Sequence, residues 1–205
     1  DTQSTMTTGD EIVDATFTAL YEHGYADLTI EAIGEEFDKS TSLIHYHFDS
    51  KEDLLATCLE TILDGFLEDL EHDPETDPED RLLRLAELVV GGTGDDGVDE
   101  FHTALLELRA QAPYDEALRE QLARNDAVWR EHIAEIVRDG VEQGVFREVD
   151  PEHFAALFRS AIEGAQSHNV ILGEDAPSEA AMAGIEELLV RELLVEGERT
   201  GDGDA

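Results

Sequence analysis

The stretch TIEAIGEEFDKSTSLIHYHFDSKEDLL, residues 29–55, decides how the rest of the chain is read. Ile30, Ile33 and Phe37 recur at helical spacing, which predicts a short helix with one buried face. The chain restarts after Asp38 and Lys39. Ser40 then serves as an N-cap, and Ile44 and Phe48 fall one turn apart on the inner side of a second short helix. That arrangement leaves Thr41, Ser42, His45 and Tyr46 pointing outward. A third helix starts at once, capped by Ser50, with Asp53 placed to complete a capping box. Residues 39–48 contain no carboxylate, in a chain where 51 of 205 residues are Asp or Glu. An acid-free helix face bearing hydroxyls and imidazoles suits phosphates and base edges.

The composition pulls the other way. Thirteen basic residues against 51 acidic ones leave a formal net charge of -38. Nucleic-acid binding ordinarily relies on Lys and Arg. Disorder is the usual alternative for so charged a chain, but apolar residues recur at helical spacing almost throughout. A soluble protein built for molar salt fits both facts. Charge repulsion there is screened within roughly 3 Å, and surface carboxylates keep the protein hydrated. The two lysines of the chain, Lys39 and Lys51, both lie in the quoted stretch. Cys58 is the single cysteine, so no disulfide forms within the chain, and it reads as a small buried hydrophobe. The opening DTQSTMTTGD lacks the apolar core of a signal peptide. No apolar run approaches the roughly 20 residues that span a bilayer. The expectation is a cytoplasmic protein with no membrane partner.

Working outward, a first helix from about Asp10 buries Val13, Phe17 and Leu20 and ends at Gly24. Thr29 caps the next, as a cap alone or as a cap that also meets phosphate. After Lys51, Leu55, Leu59, Ile62, Phe66 and Leu70 form a stripe to about Glu71. Further helices follow over about 81–90, over 98–108, and from Tyr114 to about Glu142, the last stopped by Gly144. Asp150-Pro151 is a cap followed by proline, which starts a helix running to about Leu172. The last helix covers Ser178 to about Val195.

From Ile12 to Leu55 the chain resembles the DNA-binding domain of the TetR family of transcriptional regulators. The residues that carry the likeness are Gly24-Tyr25, Thr29, Ile33, Ser40, LIHYHF at 43–48 and SKEDLL at 50–55. Two features depart from the pattern. Phe37-Asp38-Lys39 stands where the family has a small residue, glycine and an aliphatic, and Thr41 stands where it often has a basic residue. The tract WREHIAEIVRDGVEQGVFREVDPEHFAALFRSAIEG, residues 129–164, also resembles the C-terminal domain of the choline/betaine-responsive group.

The likeness implies an all-α fold: a three-helix helix-turn-helix DNA-binding domain over 10–54, then a larger helical effector-binding and dimerisation domain over 55–196. Residues 1–9 would be a flexible arm and 197–205 a disordered acidic tail. It implies a ligand-responsive repressor that binds a palindromic double-stranded DNA operator as a homodimer and is released by a small-molecule effector. The residues carried over for DNA contact are Thr29, Lys39, Ser40, Thr41, Ser42, Leu43, His45, Tyr46, His47 and Lys51. Lys51 reads either as a phosphate ligand at a helix start or as a solvated lysine. For the effector the candidates are Phe66, Phe101, His102, Leu105, Trp129, His132, Ile133 and Phe158, an aromatic set with few polar points that plain core packing would equally explain. For the dimer interface they are Phe154, Ala161, Ala165, His168, Ile185 and Leu189.

No catalytic motif is present, so no enzyme activity and no cofactor are expected. His45 and His47 are two apart on a helix, point to nearly opposite sides and do not share a metal ion. The alternative from another class is a helical ligand- or partner-binding protein with a vestigial DNA-binding head.

Overall fold

A computed structural model describes residues 7–37, 39–70, 76–90 and 96–195, the side chains of 26, 62, 64–70 and 96–101 excepted. The described residues are helical nearly throughout: α1 (Thr8–Asp27), α2 (Ile30–Glu36), α3 (Thr41–His47), α4 (Lys51–Leu70), α5 (Pro78–Val90), α6 (Asp96–Gln111), α7 (Glu116–Gln143), α8 (Pro151–Leu172) and α9 (Ser178–Ile185). The tail at 197–205 and most of the expected arm lie outside the described residues. Thr7 is already the cap of α1. Its hydroxyl accepts from Asp10 N–H at 3.2 Å, while the Asp10 carboxylate accepts from Thr7 N–H at 2.8 Å. These bonds to Thr7 hold the Asp10 carboxyl below the usual carboxylate range.

The chain divides into two compact units, 1–69 with 96–125 and 70–95 with 126–205. In the first, Ile12, Val13, Leu20, Leu28, Ile33, Phe37, Ile44, Leu54, Leu55 and Leu59 share one core with Ala104, Leu108 and Ala112 of α6 and Leu118 of α7. The helix-turn-helix segment is thus one part of a larger core, because α6 covers the inner face of α1. Cys58 lies inside this core, and burial pushes its thiol up to about 12. It behaves as a packed small hydrophobe.

In the second unit α5 packs on α8 and α9. Asp77 caps α5 through Glu79 N–H at 2.9 Å, and Pro78 follows at the first helical position. This repeats the Asp150-Pro151 start of α8, where His153 N–H donates to Asp150 at 2.9 Å. The helix therefore begins three residues before the expected Arg81. The last helix also departs from expectation. Regular α9 ends at Ile185, a wider π turn follows over Glu186–Val190, and a 3-10 turn over Arg191–Leu193. Beyond it, Arg147 N–H donates to Leu193 O at 2.7 Å and Val195 N–H to Val145 O at 3.1 Å. This clasp leaves Val190, Leu193 and Leu194 buried.

Candidate nucleic-acid interface

The interface is built from α3 and what holds it. Ser40 caps α3, accepting from Ser42 N–H at 3.3 Å. Ile44 is fully buried and Leu43 half-buried against the same core, so one side of the helix is pinned. Thr41, Ser42, His45, Tyr46 and His47 remain exposed. Tyr46 is 81% exposed and its ring meets His47 edge to face at 5.3 Å. A large aromatic left so open on a pinned helix is not there for the chain's own packing.

The approach of α2 to α3 depends on Gly34. A methyl group at that position would overlap the Thr41 Cγ2. Thr41 thus packs its methyl on α2, a contact the sequence reading did not foresee. Thr29 caps α2 by accepting from Ala32 N–H at 3.1 Å.

The turn at residues 24–28 is tied from two directions. Gly24 adopts φ 69, and the next N–H, of Tyr25, donates to the Glu107 carboxylate of α6 at 2.7 Å. From α4, the Lys51 ammonium donates to Leu28 O at 3.1 Å and lies 4.5 Å from the Tyr25 ring centroid. In the free chain Lys51 therefore points inward and is not a merely solvated side chain. A carbonyl and an aromatic face, both attractive to a cation, draw it inward. Lys39, the other lysine, is half-exposed and pairs with Glu11 of α1. Asp38 lies outside the described residues.

The expected effector residues are drawn from both units. Phe66 and Phe101 fall among the side chains outside the description. His102 and Leu105 belong to the first unit and are half-buried, Leu105 against its core. Trp129, His132, Ile133 and Phe158 belong to the second. Ile133 and Phe158 are fully buried there, so they are core residues of that unit. Trp129 lies beneath Arg159, whose guanidinium carbon is 5.3 Å from the ring centroid. Arg159, overlooked in the sequence, is itself buried and bonded to Glu163 at 2.8 Å. Burial pushes its pKa down against the pull of Glu163 and Asp126.

The expected dimer residues also divide. Ala165 and Ile185 are buried within the chain, and Phe154 stacks on Phe158 at 5.6 Å. Ala165 and Ile185 therefore have little surface left for a second copy. Ala161 and Leu189 are half-buried and His168 is exposed. Periodicity also did not single out the exposed apolar side chains Leu157 (57% exposed), Ile171 (63%) and Leu172 (46%) on α8, with Leu188 (70%) in the turn after α9. Leu157, Ala161, Gly164, His168 and Ile171 follow helical spacing and form one outward stripe.

A helix-turn-helix whose second helix is anchored inside and polar outside defines a DNA-binding protein. Residues 12–58 match the family profile described as bacterial regulatory proteins, tetR family, and residues 78–194 match that of the BetI-type transcriptional repressor, C-terminal. The chain belongs to the TetR family of transcriptional regulators. Among solved structures it is similar to a TetR transcription regulator from Haloarcula marismortui, with 38% identity and a TM-score of 0.79 over 91% of this chain and 98% of that one. A TetR-family regulator from Rhodococcus sp. follows at 28% identity and a TM-score of 0.75, covering 88% and 97%. A regulator from Saccharomonospora viridis in complex with choline has 24% identity and a TM-score of 0.73, covering 87% and 95%. Comparison with curated protein sequences gives no match. No helix among the described residues is long and apolar enough to cross a membrane.

Proposed function

We propose that this regulator is an effector-responsive repressor that binds a palindromic operator as a homodimer. The observation that carries the DNA-contact assignment is the outward, carboxylate-free face of α3, on which Tyr46 stands exposed. Ser40, Thr41, Ser42, His45, Tyr46 and His47 meet the major groove, and Thr29 and Lys39 meet the backbone on either side, while Leu43, packed against the core, anchors the helix. Lys51 keeps a positioning role, holding the turn before α2 against α4. The alternative of a vestigial head is disfavoured by that same face, which would have no reason to stay free of acid in so acidic a chain.

The dimer face is the stripe of Leu157, Ala161, Gly164, His168 and Ile171, joined by Leu172 and Leu188. A palindromic operator requires the two α3 helices of the dimer about 34–36 Å apart, one turn of B-DNA. The effector is a small molecule received by the helical part of the chain. The Saccharomonospora viridis protein holds choline, and Bacillus subtilis FadR holds stearoyl-CoA, on the same fold. In this chain Trp129 and His132, half-exposed in the second unit, are the residues we place nearest it. Effector binding releases DNA by favouring the state that does not fit the operator.

The test is Tyr46→Ala, assayed on a duplex selected by the full chain from a random-sequence pool. Affinity is expected to fall about tenfold or more, the size of one lost base contact, with helicity unchanged. Unchanged affinity would remove α3 from the interface.

A further inference from the structure

We propose that Glu11 is a built-in competitor for the operator: it occupies Lys39 as a phosphate would, and DNA binds only by taking Lys39 from it. The inference rests on the reading of the α3 side as the DNA face. Lys39 is the only Lys or Arg in residues 1–50. It immediately precedes the Ser40 cap of α3, so its ammonium is the one full positive charge that this part of the sequence brings to the groove. In the free protein that ammonium donates to the Glu11 carboxylate of α1. The pair lines a cleft with Asp14, Ala15, Thr18, Glu36 and Phe37, so two further carboxylates line the same cleft. The other nearby lysine is no substitute, being held by Leu28 O and the Tyr25 ring.

The pair is open to solvent, with the Lys39 side chain 46% exposed and that of Glu11 34%. Exchange is therefore cheap, because exposed ion pairs are weak and salt-screened. Releasing Glu11 exposes one carboxylate to solvent and turns one ammonium toward a phosphate oxygen. The cation changes partner without changing its own protonation. Unlike a free surface lysine, Lys39 thus arrives at DNA already neutralised, and the gain on binding is the difference between two anionic partners. The operator must overcome that competition at low salt far more than at high salt.

The experiment measures affinity of the full chain for the selected duplex across a KCl series, in wild type, Glu11→Gln, Lys39→Gln, the double variant and Asp14→Asn. Glu11→Gln is expected to tighten binding about two- to fivefold in dilute KCl, the worth of one exposed pair. The gain should fade toward molar KCl and be absent when Lys39 is already Gln. Asp14→Asn, which removes the same charge from the same cleft without freeing Lys39, should give a smaller gain. An equal gain from Asp14→Asn, or a Glu11→Gln gain that persists in the Lys39→Gln background, reduces Glu11 to general charge and overturns the proposal. No effect of Glu11→Gln while Tyr46→Ala weakens binding overturns it and leaves the DNA face standing. If neither Tyr46→Ala nor Lys39→Gln changes affinity, the DNA face itself is misplaced and both readings fail.

Discussion

At Gly140, in the last turn of α7, a side chain as small as a methyl would overlap Cδ2, Cε2 and Cγ of the Phe146 ring. That ring is 2% exposed and has nowhere to retreat. The same residue's carbonyl accepts from Val145 N–H and Phe146 N–H, both at 2.9 Å, as the chain reverses through Gly144. Gly140→Ala should therefore destabilise the protein. Overpacking costs about 1–3 kcal/mol, against which the helix gains about 1 kcal/mol from losing a glycine. A urea unfolding midpoint at fixed KCl measures the balance, and Gly140→Ala with Phe146→Leu should recover part of the loss. A midpoint equal to or above wild type would mean that the ring moves freely. Nothing in the sequence marks this contact, since a glycine inside a helix has no side chain to read. The Lys39–Glu11 pair was invisible for a related reason: its partners stand 28 residues apart, and one more acid in an acidic chain carries no signal.

The elements were legible where local chemistry sets them. Ser40, Thr29 and Asp150 sit at the helix starts their side chains predict, because a cap needs only its own neighbours. Asp77-Pro78 carries the same signal, masked by the run of charge around it. Two things escaped because they depend on tertiary partners. One is that α6 completes the core beneath α1. The other is which apolar stripe of α8 faces inward. Ala155, Phe158, Ile162 and Ala165 make one stripe, and Leu157, Ala161 and Ile171 make another, but periodicity alone ranks neither. The second stripe gives a prediction. Leu157→Asp or Leu188→Asp should convert a dimer to monomers in sedimentation, since each buried leucine is worth about 1.5–3 kcal/mol. Folding should survive, because both side chains are exposed in the single chain. An unchanged dimer would move the interface elsewhere.

For the whole molecule the governing quantity is a net charge of -38 set against a polyanion. For most DNA-binding proteins affinity falls steeply with salt as released counterions are lost as a driving force. Here long-range repulsion dominates in dilute buffer, and at molar KCl it is confined to roughly 3 Å. Operator affinity is expected to be weak in dilute buffer and to stay level or rise toward molar KCl. Filter-binding or anisotropy titrations across that range decide it, and a steep loss would sink the molar-salt reading. The charge sum was plain in the sequence. What the fold adds is that both lysines are already engaged, leaving few counterions for DNA contact to release.

The clasp between residues 145–147 and 193–195 bears on how the protein is made. The residues of the first unit end at 125, so all of them are synthesised before the last of the second unit. The second unit lacks the buried Val190, Leu193 and Leu194, and the backbone bonds to Val145 and Arg147, until residues 190–195 have been added. Vectorial synthesis at about 5–20 residues per second would therefore give the nascent chain every residue of its DNA-reading head well before the ribosome supplies the segment that seals the other half.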